Sequence, residues 1–282
     1  MTAAAAPASA GGVHLVIEPT TGWKGLRLGE LWAFRDLFWL LAWRDVKVRY
    51  RQTILGVGWA VLQPLITVLV FGLVFGRLAK VPSNGLPYAL YAYAALLPWT
   101  LFAGSVTRAA NSLVSNASLL SKTYFPRLLL PIGSLVINLV DFAISLVVFA
   151  GLMAWYGVAP RPMAALLPLF LIYAVVASLA VGIWLSALNV RYRDVQFALP
   201  FLVQIGLFIS PVVYPASLVP ASFRILYDLN PMTLVIQGFR WGLLGDTAPS
   251  GSMFTSIPVV IALLVLGLFY FRRTERYFAD II

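Results

Sequence analysis

The spacing of charges constrains this chain more than any other feature. Residues 52–76, 81–107, 162–190, 195–223 and 247–271 carry none, and 128–160 carries only Asp141. A hydrocarbon core of about 30 Å is crossed by roughly 20 apolar residues in a helix, so each run can cross once. Such a core admits only backbone that satisfies its own hydrogen bonds, which leaves helices or a closed barrel. Barrel strands alternate polar and apolar residues, and these runs do not. Charged residues make up 11% of the chain, against about 25% in a soluble domain. The sequence therefore predicts an all-α polytopic membrane protein. Its six transmembrane helices fall near 54–76, 88–108, 128–156, 164–188, 195–215 and 252–271.

Basic residues orient these spans. Of the 20 Lys and Arg, only Arg77, Lys80, Arg161, Arg224 and Arg240 fall on the side away from the N-terminus. The excess belongs in the cytoplasm, so both termini are expected inside. The net charge of +10 is then a topology signal, spread over short loops. A nucleic-acid partner is not expected, because no single soluble face gathers the charge. Residues 1–29 read as a mobile tail without the pattern of a signal peptide, and 30–282 as one membrane domain. The absence of Cys excludes a disulfide framework.

Before the first span, "RDVKVRYRQTILGVGWAVLQP" turns abruptly from basic to apolar. Residues 30–51 are expected to form an amphipathic helix along the inner membrane surface. At 100° per residue, Trp32, Trp39, Trp43, Val46 and Tyr50 share one stripe, with Arg44, Lys47 and Arg51 beside it. Asp45 and Arg49 make an i,i+4 pair on another face. Aromatic rings at the headgroup level and cations beside lipid phosphates suit an anchor. The same cations suit the capture of an anionic substrate arriving in the inner leaflet.

Several chemistries are poorly supplied. The one His, His14, sits in the tail, which argues against metal hydrolysis and His-based acyl transfer. No G-x-x-x-x-G-K-[ST] occurs, so ATP has no P-loop here. Asp141 is the lone acid within a span, too little for an ion-coupled carrier. Its nearest donor by sequence is Asn138, one turn earlier, and no cation is expected at its depth. It reads as a hydrogen-bonded acid or as a polar point in a transport path.

The segment "YPASLVPASFRILYDLNPMTLVIQGFRWGLLGD" between spans five and six is too polar to cross and too apolar for an ordinary loop. Asn230 and Pro231 read as an N-cap and first helical residue, and Gly245 as a stop. Met232, Val235, Ile236, Phe239 and Leu243 recur at helical spacing between them. This short helix is expected in or dipping into the outer leaflet, paired with a shorter one near 222–229.

Four segments in this order, "RDVKVRYRQTILGVGWAVLQP", "SKTYFPRLLLP", "SPVVYP" and "LNPMTLVIQGFRWGLLGD", carry a resemblance. The chain resembles the permease subunit of type-2 ABC exporters of O-antigen, capsule or teichoic-acid polymers, from about residue 30 to the end. The resemblance implies a bacterial inner-membrane protein that acts as a homodimer with two copies of an ABC ATPase. ATP and Mg would sit on that ATPase, and this chain would bind no cofactor and catalyse no reaction. The expected cargo is a glycan on undecaprenyl pyrophosphate, with Lys47, Arg49 and Arg51 at the entrance near its head group. An exporter of small drugs or lipids shares the fold, and a membrane glycosyltransferase or ligase is the remaining class.

Sugars present apolar C–H faces, so aromatic rings can line a path for them. The candidates are Trp59, Phe71 and Phe75 on span one, and Tyr88, Tyr91, Trp99 and Phe102 on span two. Phe201 and Phe208 on span five complete the set. Some of these, Tyr88 and Tyr91 with Tyr93 above all, also fit an interfacial aromatic belt. Between spans two and three, Leu113, Ala117, Leu120 and Tyr124 recur at i, i+4, i+7 and i+11. That stripe is expected to dock into a groove of the ATPase, as a helix joining the subunits.

Overall fold

The computed structural model describes residues 28–51, 58–275 and 278. Most of the expected tail, His14 and the start of the expected first span lie outside these residues. Among the described residues the chain is helical and contains no strand. Five helices are long and apolar enough to cross a membrane: Gly58–Leu78, Tyr88–Ser115, Leu129–Trp155, Pro162–Arg191 and Gly251–Glu275. The expected fifth span is shorter. Its helix, Val195–Ile209, has 15 residues, or about 22 Å at 1.5 Å per residue. It ends where Ser210 turns extended, before Pro211, because the residue preceding a proline is pushed out of the helical region.

The helices, in chain order, are α1 Leu28–Ala33, α2 Arg35–Arg51, α3 Gly58–Phe71, α4 Tyr88–Ser115, α5 Ala117–Lys122 and α6 Leu129–Gly133. They continue with α7 Leu135–Trp155, α8 Leu167–Arg191, α9 Val195–Ile209, α10 Arg224–Leu229, α11 Pro231–Leu244 and α12 Ser256–Glu275. A π-helical turn, Gly72–Leu78, extends α3.

α4 is the hub, and small residues explain its closest contact. It packs most extensively on α8, whose inward face carries Ala174, Ala177, Ser178, Gly182, Ser186 and Ala187, all buried. A Cβ on Gly182 would stand 2.7 Å from that of Ala109, so only glycine lets the two backbones approach. Lipid tails are as apolar as Leu, so such close packing, rather than hydrophobic exclusion, holds spans together. α3 is the opposite case. Only 6% of its spanning window is buried within the chain, against 72% for α4.

At one end α2 packs on α6 and α7, pressing Leu41, Ala42 and Val46 inward and leaving Trp39 and Trp43 exposed. The expected Asp45–Arg49 pair is absent. Asp45 pairs with Arg44 at 2.9 Å, and Arg49 reaches α7 instead, because its face of α2 looks into the bundle.

At the other end, α11 begins and stops as its local signals require. The Asn230 side chain accepts from Met232 N at 3.0 Å, and Gly245 ends the helix at φ +72°. α11 is not a half-exposed interfacial helix, however. Residues 232–240 are buried without a break, under α4, α8 and the 3-10 turn Pro162–Leu166. Gly238 lets the Phe170 ring close on the helix, and Gln237 is satisfied by the carbonyl and hydroxyl of Thr247.

Candidate functional site

A cavity of about 860 Å³ opens between α2, α3, α4, α7 and α9, at the end of the bundle that holds α2. Its lining changes along its length. Near α2 the walls carry Arg44, Asp45, Arg49, Arg108, Asn111 and Asp141, and deeper in they carry Tyr93, Leu96, Trp99, Phe142, Val203 and Leu207. A mixed wall of this kind takes an amphiphilic guest, polar at one end and apolar at the other.

Asp141 is the fixed point of the polar half. Arg49 Nη2 approaches its Oδ2 at 2.8 Å, and the Tyr50 hydroxyl donates to its Oδ1. The expected partner Asn138 instead donates to Ser134 O at 3.2 Å, within its own helix. A cation therefore does lie at the depth of Asp141, delivered by α2 rather than by a neighbouring span. Burial, then the bond to Asp141 and its charge, push the Tyr50 phenol up to about 12, so it remains a donor at any physiological pH. Arg44 bridges Asp45 and Asn116 Oδ1, tying α2 to the end of α4. Arg108, on α4, has no hydrogen-bond or ion-pair partner among the described residues, although it lies within electrostatic reach of Arg49, Asp141, Asp45 and Tyr50.

The structure divides the expected entrance cations. Arg49 faces the cavity, while Lys47 and Arg51 line a separate groove of about 690 Å³ with Asp36, Trp39 and Trp43. Two residues along a helix is 200° around it, so the three cannot share a face.

The aromatic candidates divide as well. Trp99 is on the cavity wall, and Phe102 packs against it at 5.8 Å between centroids. Phe71 and Phe75 form an edge-to-face pair at 5.4 Å against the larger apolar core, and Tyr88 is partly buried. Trp59, Phe201 and Phe208 are exposed on the surface of the chain. Tyr91 is not on the cavity wall. It is fully buried, with the Arg240 guanidinium 3.7 Å above its ring. Tyr93 and Phe142 line the cavity without having been expected to.

The stripe expected to dock the ATPase is also redirected. α4 ends at Ser115 and Asn116 breaks the helix, so α5 starts on a new axis. Leu113 and Leu120 then point into the chain's own core with Leu41, Phe125 and Leu128. Ala117 is partly buried, and Tyr124 lies past the end of α5, 63% exposed. A helical period locates a stripe but does not say what covers it.

Residues 36–244 match the family described as ABC-2 type transporter. The chain belongs to the ABC-2 transporter membrane family. Its relatives include an O-antigen export system permease protein, RfbA, from Myxococcus xanthus, 30% identical over 87% of this chain and 96% of the relative. RfbA from Klebsiella pneumoniae is 27% identical, over 88% of this chain and 95% of the relative. The polysialic acid transport protein KpsM of Escherichia coli is 23% identical over 83% and 91%. The ABC-2 match spans α2 to α11, and so contains every side chain named on the cavity wall.

Proposed function

We propose that the chain is the permease subunit of an exporter for a lipid-linked polysaccharide of O-antigen type, driven by a separate ABC ATPase. The observation that carries this reading is the cavity, cationic beside α2 and aromatic toward its depth. Its head-to-tail polarity suits a glycan on a polyprenyl diphosphate, and the relatives named for O-antigen export support that class. In this reading α9 is a sixth, shortened span, and both termini are cytoplasmic in a bacterial inner membrane. The basic end of the bundle is then the cytoplasmic entrance, with Arg49 at the head group and Lys47 and Arg51 on lipid phosphates.

A second copy completes the path. α3 leaves Ile66 and Leu69 exposed and α9 leaves Phe201 and Phe208, a large apolar face for a homodimer to cover. Trp59, Phe71, Phe75, Trp99 and Phe102 are then the rings that the cargo passes. ATP and Mg belong to the ATPase, which docks on the exposed part of 114–124, including Ser118, Lys122 and Tyr124.

Gene loss tests the reading. Lipid-linked glycan should accumulate on the cytoplasmic side and surface glycan should fall to background. Unaltered surface glycan with loss of a small-molecule efflux phenotype would assign the fold to drug or lipid export instead.

A further inference from the structure

The polar half of the cavity has an unbalanced set of charges. Arg44 and Asp45 neutralise each other at 2.9 Å. That leaves Arg49 and Arg108 facing one carboxylate, Asp141, which Arg49 occupies. Arg108 remains without a partner on the cavity wall, close enough to Arg49 for the two cations to repel. A guanidinium drawn away from water is stabilised when acceptors take up its donors. Among the described residues none takes those of Arg108.

We propose that Asp141 is an internal stand-in for a diphosphate head group: an entering diphosphate takes Arg49 and Arg108 together, and the Asp141 carboxylate is released. This rests on the reading of a lipid-linked cargo. The exchange needs no bond to break. Guanidinium forks bind phosphate oxygens in pairs, and a diphosphate offers enough of them for both arginines. Asp141 keeps the Tyr50 hydroxyl as donor, so the released carboxylate does not lose every partner. The exchange also has a mechanical consequence. Arg49–Asp141 and Tyr50–Asp141 both tie α2 to α7, so diphosphate binding trades the first for a contact with cargo and leaves Tyr50 as the remaining tie. Only cargo bearing the charge would then signal its arrival.

The proposal predicts opposite effects from the two ends of one ion pair. The probe is geranylgeranyl diphosphate, titrated into the full transporter in phosphatidylcholine nanodiscs. Asp141→Asn should tighten binding by about tenfold, since the competing carboxylate is gone, whereas Arg49→Gln and Arg108→Gln should each weaken it by about tenfold or more. Arg108→Gln breaks no hydrogen bond or ion pair among the described residues, and its melting temperature checks that it folds. Geranylgeraniol should not bind, and inorganic pyrophosphate should compete. Asp141→Asn binding that is unchanged or weaker would overturn the exchange, and so would an Arg108→Gln variant of wild-type affinity. Competition by phosphatidylglycerol as strong as by pyrophosphate would overturn the choice of diphosphate. If surface glycan depends on the gene and these signs still fail, the exchange falls and the export reading stands.

Discussion

Two arginines on neighbouring helices, Arg108 half-buried and Arg240 buried, are assigned different work by their surroundings. Arg240 is fully buried at the end of the bundle away from α2. Its Nε donates to Tyr91 O at 3.2 Å, Nη1 to Tyr214 O at 3.3 Å and Nη2 to Val212 O at 2.8 Å, over the Tyr91 ring. Tyr91 belongs to α4, and Val212 and Tyr214 to the turn after α9, where the loss of helix leaves carbonyls without helical partners. Arg240 is thus a knot that closes the turn after α9 onto α4. Arg108, at the other end, faces a cavity and has no partner among the described residues. A cation whose donors are used holds the fold, and one whose donors are free awaits a ligand.

Substituting the two arginines separates the roles. Arg240→Leu removes the side-chain donors of Val212 O and Tyr214 O, at about 1–3 kcal/mol each, together with its contact on the Tyr91 ring, a large share of the roughly 5–15 kcal/mol that holds a typical domain. We expect no monodisperse protein in detergent, read by size exclusion and thermal unfolding. A well-folded Arg240→Leu variant would remove the distinction.

Arg108→Leu should behave in the opposite way. It gives up no hydrogen bond among the described residues, so its melting temperature should match or exceed that of the parent. Surface glycan should nevertheless drop by an order of magnitude, the loss of one charge-assisted phosphate contact being worth about 1.5–3 kcal/mol. Parental export by a folded Arg108→Leu variant would make that residue a bystander.

The smallest effect tests how the Arg240 knot is built. The Tyr91 hydroxyl is buried without a hydrogen-bond partner, so the ring and the carbonyl, not the phenol, hold Arg240. Tyr91→Phe should therefore change stability by less than about 1 kcal/mol, because removing an unpaired buried hydroxyl costs no hydrogen bond. A loss of several kcal/mol in chemical denaturation would mean that the phenol carries a contact of its own.

What was legible in the sequence follows from how local each signal is. Spans near 88–108, 164–188 and 252–271 could be read from apolar length, and the caps of α11 from Asn230, Pro231 and Gly245, because each depends on adjacent residues. The Arg49–Asp141 pair could not, since it joins α2 to α7 and nothing near either residue announces it. Asn138 was the nearest donor in sequence, and helical geometry turned it to Ser134. Lys47 and Arg51 could have been separated from Arg49 by helical angle alone. The burial of Leu113 and Leu120 depends on α2 and the segment before α6 folding over them, which periodicity does not encode.

The central claim is that cargo enters at the basic end and occupies the cavity. It is tested most directly by placing a photo-crosslinking residue at Thr100, exposed on the cavity wall, and at Leu169, exposed on the outside of α8. In cells making glycan with the ATPase stalled, the account predicts a glycan adduct from position 100 and none from position 169. Equal labelling at both positions, or an adduct from 169 alone, would contradict it.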